Sequence, residues 1–260
     1  MKNNKEQRVE IFKKLETHFI DNIKNKYKID ERAVVIDLNN QKSKYNVLKC
    51  SVTYHKENVT ETINKYKEPL VLIFGSATKA GGGVINGASA QEEDIALKTT
   101  WYFHAKNNPE YYNIEHKSLC YTELALYVKN GLILTDTYDF PITPEKISFI
   151  ACAAPNLTAM KNKKYKYDDN KIYKIVQSRI RNIFKFAEAQ KHSTLIVGAW
   201  GCGVFGLSAE RVAKAYKTVL QENHFGGHLV FSIMDDLIHD TFKYIIEKPI
   251  SDWNIINNHV

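Results

Sequence analysis

VLIFGSATKAGGGVINGASAQEEDIALKTTW, residues Val71 to Trp101, reads as a strand, a loop and a helix in succession. VLIF (71–74) is a short apolar run that predicts a buried strand. Gly81-Gly82-Gly83 predict a loop that turns where a Cβ would clash and lets a ligand approach the peptide plane. The helix is predicted from Gln91 to about Ala105, stopped by Asn107-Asn108-Pro109. It opens on Gln91-Glu92-Glu93, and carboxylates in a first turn face the positive end of the helix dipole. Successive helical side chains point about 100° apart, so Glu92 and Glu93 have separate jobs. One can hold a substrate hydroxyl while the other works as an acid or base.

Strand and helix signals alternate on both sides of this stretch. AVVIDL (33–38) and VLKCSVTY (47–54) predict strands, a short helix follows from Thr60 to about Tyr66, and Pro69 marks entry into VLIF. Val9, Phe12, Leu15 and Phe19 stand at helical spacing, which predicts an amphipathic helix from Gln7 to Phe19. It belongs to an N-terminal extension, residues 1–32, packed on the domain. Downstream, ALYVKNGLILT (125–135) contains Asn130-Gly131, a type I′ turn signal that predicts a hairpin. KISFIACA (146–153) predicts a strand, and residues 161–170 an exposed lysine-rich connection.

A long helix is predicted from Asp169 to Lys191, with Ile172, Val176, Ile180, Ile183 and Ala187 on one stripe. TLIV (194–197) then predicts a strand. Ser208 is an N-cap for a helix carrying Val212, Tyr216 and Val219. LVFSIM (229–234) makes a further strand, and a last helix runs from Leu237 to Glu247. The alternation predicts one α/β domain over residues 1–260, with a mixed sheet between helices.

Charge and composition exclude several classes. No apolar run approaches the roughly 20 residues of a membrane span, and the polar start MKNNKEQRVE lacks a signal peptide's apolar core. The expected address is cytoplasmic. Cys50, Cys120, Cys152 and Cys202 form no C-x-x-C pair, and Gly226-Gly227 separates His224 from His228. Neither a disulfide framework nor a metal site is expected, and no cofactor. A net charge of +7 favours polyanions. Runs such as KNKKYKYDDNK (161–171) read as a general lysine bias, with no basic helix or aromatic-basic stripe. Direct nucleic-acid binding is not expected, and the chain is expected to be a monomer.

Gly201-Cys202-Gly203-Val204-Phe205-Gly206 matches G-x-G-x-x-G between a strand and a helix, the fingerprint of a dinucleotide-binding unit. Backbone N–H groups at such a helix start bind pyrophosphate without a basic side chain. The fingerprint also wants an acid about 20 residues on, at the end of the next strand. Here the acids after LVFSIM, Asp235 and Asp236, come later, and too little chain remains for a nicotinamide fold. Cys202 has no accompanying base and reads as a small loop residue rather than a nucleophile.

Gly-Gly-Gly, seven residues, then Gln-Glu-Glu resembles the signature of poly(ADP-ribose) glycohydrolase-type macrodomains. SATKAGGGVINGASAQEE is similar to the smaller bacterial-type members. VGAWGCGVFG and FIACAAPN (149–156) resemble that family's diphosphate loop and a strand ending in Ala-Pro-Asn. The likeness runs from the N-terminal helix to LVFSIMDD.

It implies a macrodomain-like three-layer α/β/α fold with a mixed central sheet. It implies hydrolysis of the O-glycosidic ribose–ribose bonds of poly(ADP-ribose) from the free end, releasing ADP-ribose. By this resemblance Glu93 is the general acid and then the base, and Glu92 and Gln91 position ribose hydroxyls or the catalytic carboxyl. Burial and the neighbouring acid push such a carboxyl towards its protonated form, against the helix dipole. Gly81, Gly82 and Gly83 line the substrate, and Asn86 contacts a ribose. Gly201, Cys202, Gly203, Val204 and Gly206 form the diphosphate cradle, and Phe205 covers the distal ribose. The implied partners are ADP-ribose, its polymer and ADP-ribosylated proteins. The alternatives are a mono-ADP-ribosyl-protein hydrolase and a non-catalytic ADP-ribose reader. Gly75 departs from the family's usual Asn, which affects ribose or loop contacts, and Leu207 departs from a polar residue at the loop exit.

Overall fold

Leu70 and Leu72 of the strand at 70–73 join one hydrophobic core, while Val71 and Ile73 join another. A strand buried on both faces must be covered by helices on both faces, and this alternation builds the layers. The computed structural model describes residues 4–41, 49–112, 123–135, 137–138 and 143–249. Its strands are β1 (Val34–Asp37), β2 (Ser51–His55), β3 (Leu70–Ile73), β4 (Leu124–Ile133), β5 (Glu145–Ala151), β6 (Thr194–Val197) and β7 (His228–Ser232). On one face lie α1 (Lys5–His18), α2 (Val59–Ile63), α3 (Gln91–Lys98), α4 (Trp101–Ala105) and α5 (Pro109–Tyr112). After α6 (Leu157–Asn162), the helices α7 (Asp169–Ala189), α8 (Ala209–Gln221) and α9 (Asp236–Glu247) cover the other.

The sheet runs in the order β1-β4-β5-β3-β6-β7-β2. β5, β3, β6, β7 and β2 are mutually parallel, and β4 is antiparallel to both β1 and β5. This is the expected mixed sheet between helical layers. Because β5, β3 and β6 are adjacent and parallel, the segments leaving their C-terminal ends meet along one edge. Ligands of open α/β sheets bind at that edge.

Two local expectations fail for instructive reasons. Asn130-Gly131 does not turn the chain into a hairpin. β4 runs straight through it, pairing with β5 on both sides of a register shift between Val128 and Gly131. Asn130 has φ +61°, so the pair supplies the left-handed backbone of a β-bulge rather than of a turn. Gly131 is needed there because an added Cβ would stand 2.6 Å from the Phe149 ring.

The helix predicted from Gln91 to Ala105 is also two helices. Thr99 is extended and bridges Ile133 of β4, and the Thr100 N–H donates to the Leu132 carbonyl at 2.9 Å. The Leu134 N–H reaches the Lys98 carbonyl at 2.8 Å. Pairing with β4 thus ends α3 and turns Trp101 back towards the start of the same helix.

The remaining elements lie where expected within a few residues. Cys120 and residues 47–48 of the second predicted strand lie outside the described residues. The N-terminal helix packs on the first glycine loop, where Arg8 Nε donates to the Gly87 carbonyl at 2.7 Å. No described helix is long and apolar enough to cross a membrane.

Candidate active site

β3 delivers the chain into the first loop, and α3 brings Glu92 and Glu93 back beneath it. Both acids are buried, at 4% and 8% exposure. Gly81 and Gly82 adopt φ of +65° and +61°, which an L side chain resists. An added Cβ on Gly82 would stand 2.3 Å from Glu93 Oε1 and 3.2 Å from Glu92 Oε2. Both carboxyls therefore face one bare peptide. The Gly83 N–H donates to Glu93 Oε1 at 2.7 Å, and the Ala90 N–H donates to Glu93 Oε2 at 3.1 Å. The glycine loop and the helix start thus grip Glu93 from two sides.

Glu92 is held differently, as expected for side chains about 100° apart. Its Oε2 accepts the Ser76 N–H at 2.7 Å, and its Oε1 accepts Trp101 Nε1 at 3.3 Å. Burial pushes the Glu92 carboxyl up to about 8; the Ser76 N–H opposes this and the neighbouring Glu93 adds to it. Glu92 is thus held in its protonated form near neutral pH. Ser76 and Trp101 were not singled out from the sequence. Trp101 reaches Glu92 only because the helix breaks at Thr99, which no local signal marks.

Gln91 has another job than the one expected. Its Oε1 accepts the Phe74 N–H and its Nε2 donates to the Leu72 carbonyl, both at 2.8 Å. Both ends of the amide are thus engaged in stapling α3 to β3 and the residue after it. Asn86 sits in the exposed turn between the glycines and the acids. Gly75 is buried, and an added Cβ would meet the Ala151 Cβ at 3.3 Å.

The second loop leaves β6 on the same sheet edge. Its Gly198 lies against Phe74, so the two loops touch. Gly201 and Gly206 have positive φ. The Cys202 N–H donates to the Ala199 carbonyl and the Gly206 N–H to the Gly203 carbonyl, each at 3.0 Å. These two amides close the loop on itself rather than pointing to a ligand, which corrects the expectation for Cys202 and for Gly206. Among the described residues, no backbone hydrogen bond uses the N–H of Gly201, Gly203, Val204 or Phe205. A run of such amides is an anion cradle.

Nothing lies within 4 Å of a Cβ built on Gly203, and Val204 is 75% exposed. Phe205 is half-buried against the core, with its carbonyl accepting the Thr158 N–H at 3.3 Å. Burial pushes the Cys202 thiol up to about 12, which suits a structural loop residue. Among the described residues no three His, Cys, Asp or Glu side chains converge as a metal site.

Fold and site together define a macrodomain-like α/β/α protein with a paired-acid site at the C-terminal sheet edge. The family model described as "Microbial-type PARG, catalytic domain" matches residues 2–136, and the chain belongs to that family. The structure is similar to poly(ADP-ribose) glycohydrolase from Thermomonospora curvata, at 20% identity and a TM-score of 0.81, covering 92% of this chain and 99% of that one. It is also similar to the Deinococcus radiodurans enzyme in complex with ADP-ribose, at 23% identity and a TM-score of 0.69, covering 81% and 88%. At these identities the likeness establishes the fold. No curated protein matches the sequence.

Proposed function

We infer that this chain is a poly(ADP-ribose) glycohydrolase, a glycosidase that removes ADP-ribose from the free end of the polymer. The observation that carries this is the seating of Glu92 and Glu93 under the bare Gly82 peptide, beside a loop with unused amides. Family membership supports the same reading. The unused amides suit a diphosphate, and Phe205 suits the face of the distal ribose.

In the reaction the bond between C1″ and the bridging ribose oxygen breaks. Glu93 gives its proton to that oxygen as charge builds on an oxocarbenium-like C1″. It then takes a proton from the water that attacks C1″, so the net change is addition of one water. Glu92, protonated and held by Ser76 and Trp101, orients ribose hydroxyls.

The test is release of free ADP-ribose from poly(ADP-ribose) and, separately, from a mono-ADP-ribosylated protein. Release from the polymer supports the reading. Release from the mono-modified protein alone points to side-chain de-modification, and binding without release to a reader.

A further inference from the structure

The segment KNKKYK, Lys161 to Lys166, looks in the sequence like part of a general lysine bias, but the structure gives it a place. Lys161, Lys163, Lys164, Lys166 and Tyr165 are all exposed. None of these lysines is ion-paired among the described residues. The acids that follow are already engaged. Asp168 accepts the N–H groups of Asn170 and Lys171 at the start of α7. Asp169 pairs with Arg211 at 3.0 Å. The strip is therefore a patch of net positive charge around an exposed aromatic ring.

The helices on either side of the strip, α6 and α7, both touch the exit of the second loop. On one side the Thr158 N–H donates to the Phe205 carbonyl, and Thr158 Oγ1 sits 2.8 Å from where a Gly206 Cβ would be. On the other, the Ser208 N–H donates to the Tyr173 hydroxyl at 2.6 Å, and Arg211 lies 3.8 Å over the Tyr173 ring. Lys161 follows Thr158 by three residues on α6, on the same helix face. α6, which carries Lys161, thus starts against Phe205, the residue assigned to the ribose whose C1″ is cut. The polymer beyond that bond leaves the site at C1″.

We propose that the Lys161–Lys166 strip is a second binding subsite, holding the phosphates of poly(ADP-ribose) units beyond the one being released. This rests on the reading of the pocket given above. Each further unit brings a diphosphate and an adenine. Lysines meet phosphates as mobile point charges, and an exposed Tyr165 gives a base a face to stack on. The pocket then takes the terminal unit, and the strip favours long chains over free ADP-ribose.

The test uses Lys163→Gln/Lys164→Gln/Lys166→Gln in a Glu93→Gln background, so that polymer survives the measurement. Binding of purified poly(ADP-ribose) is compared with binding of free ADP-ribose over a salt series. The expected result is polymer affinity reduced about tenfold or more, with a salt slope shallower by about 0.7 per lysine removed. Free ADP-ribose affinity should stay within about twofold of the Glu93→Gln parent.

Unchanged polymer affinity and slope would overturn the subsite. Equal loss for polymer and free ADP-ribose would also overturn it, since the lysines would then belong to the pocket. So would equal competition by single-stranded RNA of matched charge. Failure of the parent to bind free ADP-ribose while still binding polymer would defeat the pocket reading instead. Binding is scored without turnover, so a protein that held polymer but never cleaved it would leave the subsite standing.

Discussion

Gly82 and Glu93 share one space: a Cβ on Gly82 would stand 2.3 Å from Glu93 Oε1. The same carboxylate oxygen accepts the Gly83 N–H at 2.7 Å, so it cannot swing away without breaking that bond. The glycine is therefore what lets a carboxyl lie directly beneath the loop peptide.

This contact separates two glycines that look alike in the sequence. Gly82→Ala forces φ +61° on an L residue, which costs about 1–2 kcal/mol. It also displaces Glu93, and a misplacement of about 1 Å can cost on the order of 10²-fold in rate. At Gly203 an added Cβ meets nothing within 4 Å and the backbone is not left-handed, so Gly203→Val should leave the fold unstrained. Its melting temperature should match wild type while ADP-ribose Kd rises roughly tenfold, about 1.4 kcal/mol. Calorimetry showing an unchanged Kd would remove Gly203 from the cradle.

Glu93→Gln keeps the shape and the reach to Gly83 but cannot cycle a proton. Turnover should fall by about 10²–10⁴-fold, the usual worth of general acid–base catalysis. ADP-ribose should still bind. Near-wild-type release of ADP-ribose would move the role to another group.

Gln91→Ala tests the staple. It leaves the Phe74 N–H and the Leu72 carbonyl without their side-chain partner. Each such loss costs about 1–3 kcal/mol where burial is complete, and less at this half-buried site. Thermal melts should show clear destabilisation with KM for polymer within about twofold. A raised KM with an unchanged melt would restore a substrate-binding role.

Most of the fold could be read from local pattern because the decisive strands are apolar on both faces. VLIF and TLIV admit no amphipathic alternative, and the stripe on α7 admits no strand. What misled was information carried by distant partners. Asn130-Gly131 supplies a left-handed backbone that a turn and a bulge need equally, and only pairing with β5 decides between them. The break at Thr99 has no glycine or proline to announce it and comes from a bridge to Ile133. At the site, the two acids and both loops were legible as motifs. Which acid is gripped by the loop and which is sealed in by Trp101 was not, since both contacts need the folded chain.

Phe205 is half in the core and half at the cradle, so its truncation separates binding from positioning. Phe205→Ala leaves the loop amides in place but frees the distal ribose. A reacting carbon released by about 1 Å can lose on the order of 10²-fold in rate. The expected signature is a kcat loss well above the loss in ADP-ribose affinity, with an unchanged circular dichroism spectrum. Equal losses would make Phe205 a binding residue alone.

Glu92 makes stability depend on pH in a stated direction. Its folded pKa of about 8 lies above the ordinary 4.5, so the folded protein holds a proton that the unfolded chain has already lost. Wherever the native state binds more protons, stability falls as pH rises. The fall should run from about pH 4.5 to about pH 8 and then level off, because above both values neither state holds the proton. Glu92→Gln mimics the protonated form and removes this dependence. Relative to wild type its melting temperature should therefore gain steadily as pH rises to about 8, then stay level. Wild-type turnover should decline through the same upper limb, as the neutral acid that orients the ribose becomes charged. A melting difference between the two proteins that stayed constant across this range would show that Glu92 is ionised in the native state throughout. The buried proton would then have to be sought elsewhere in the site.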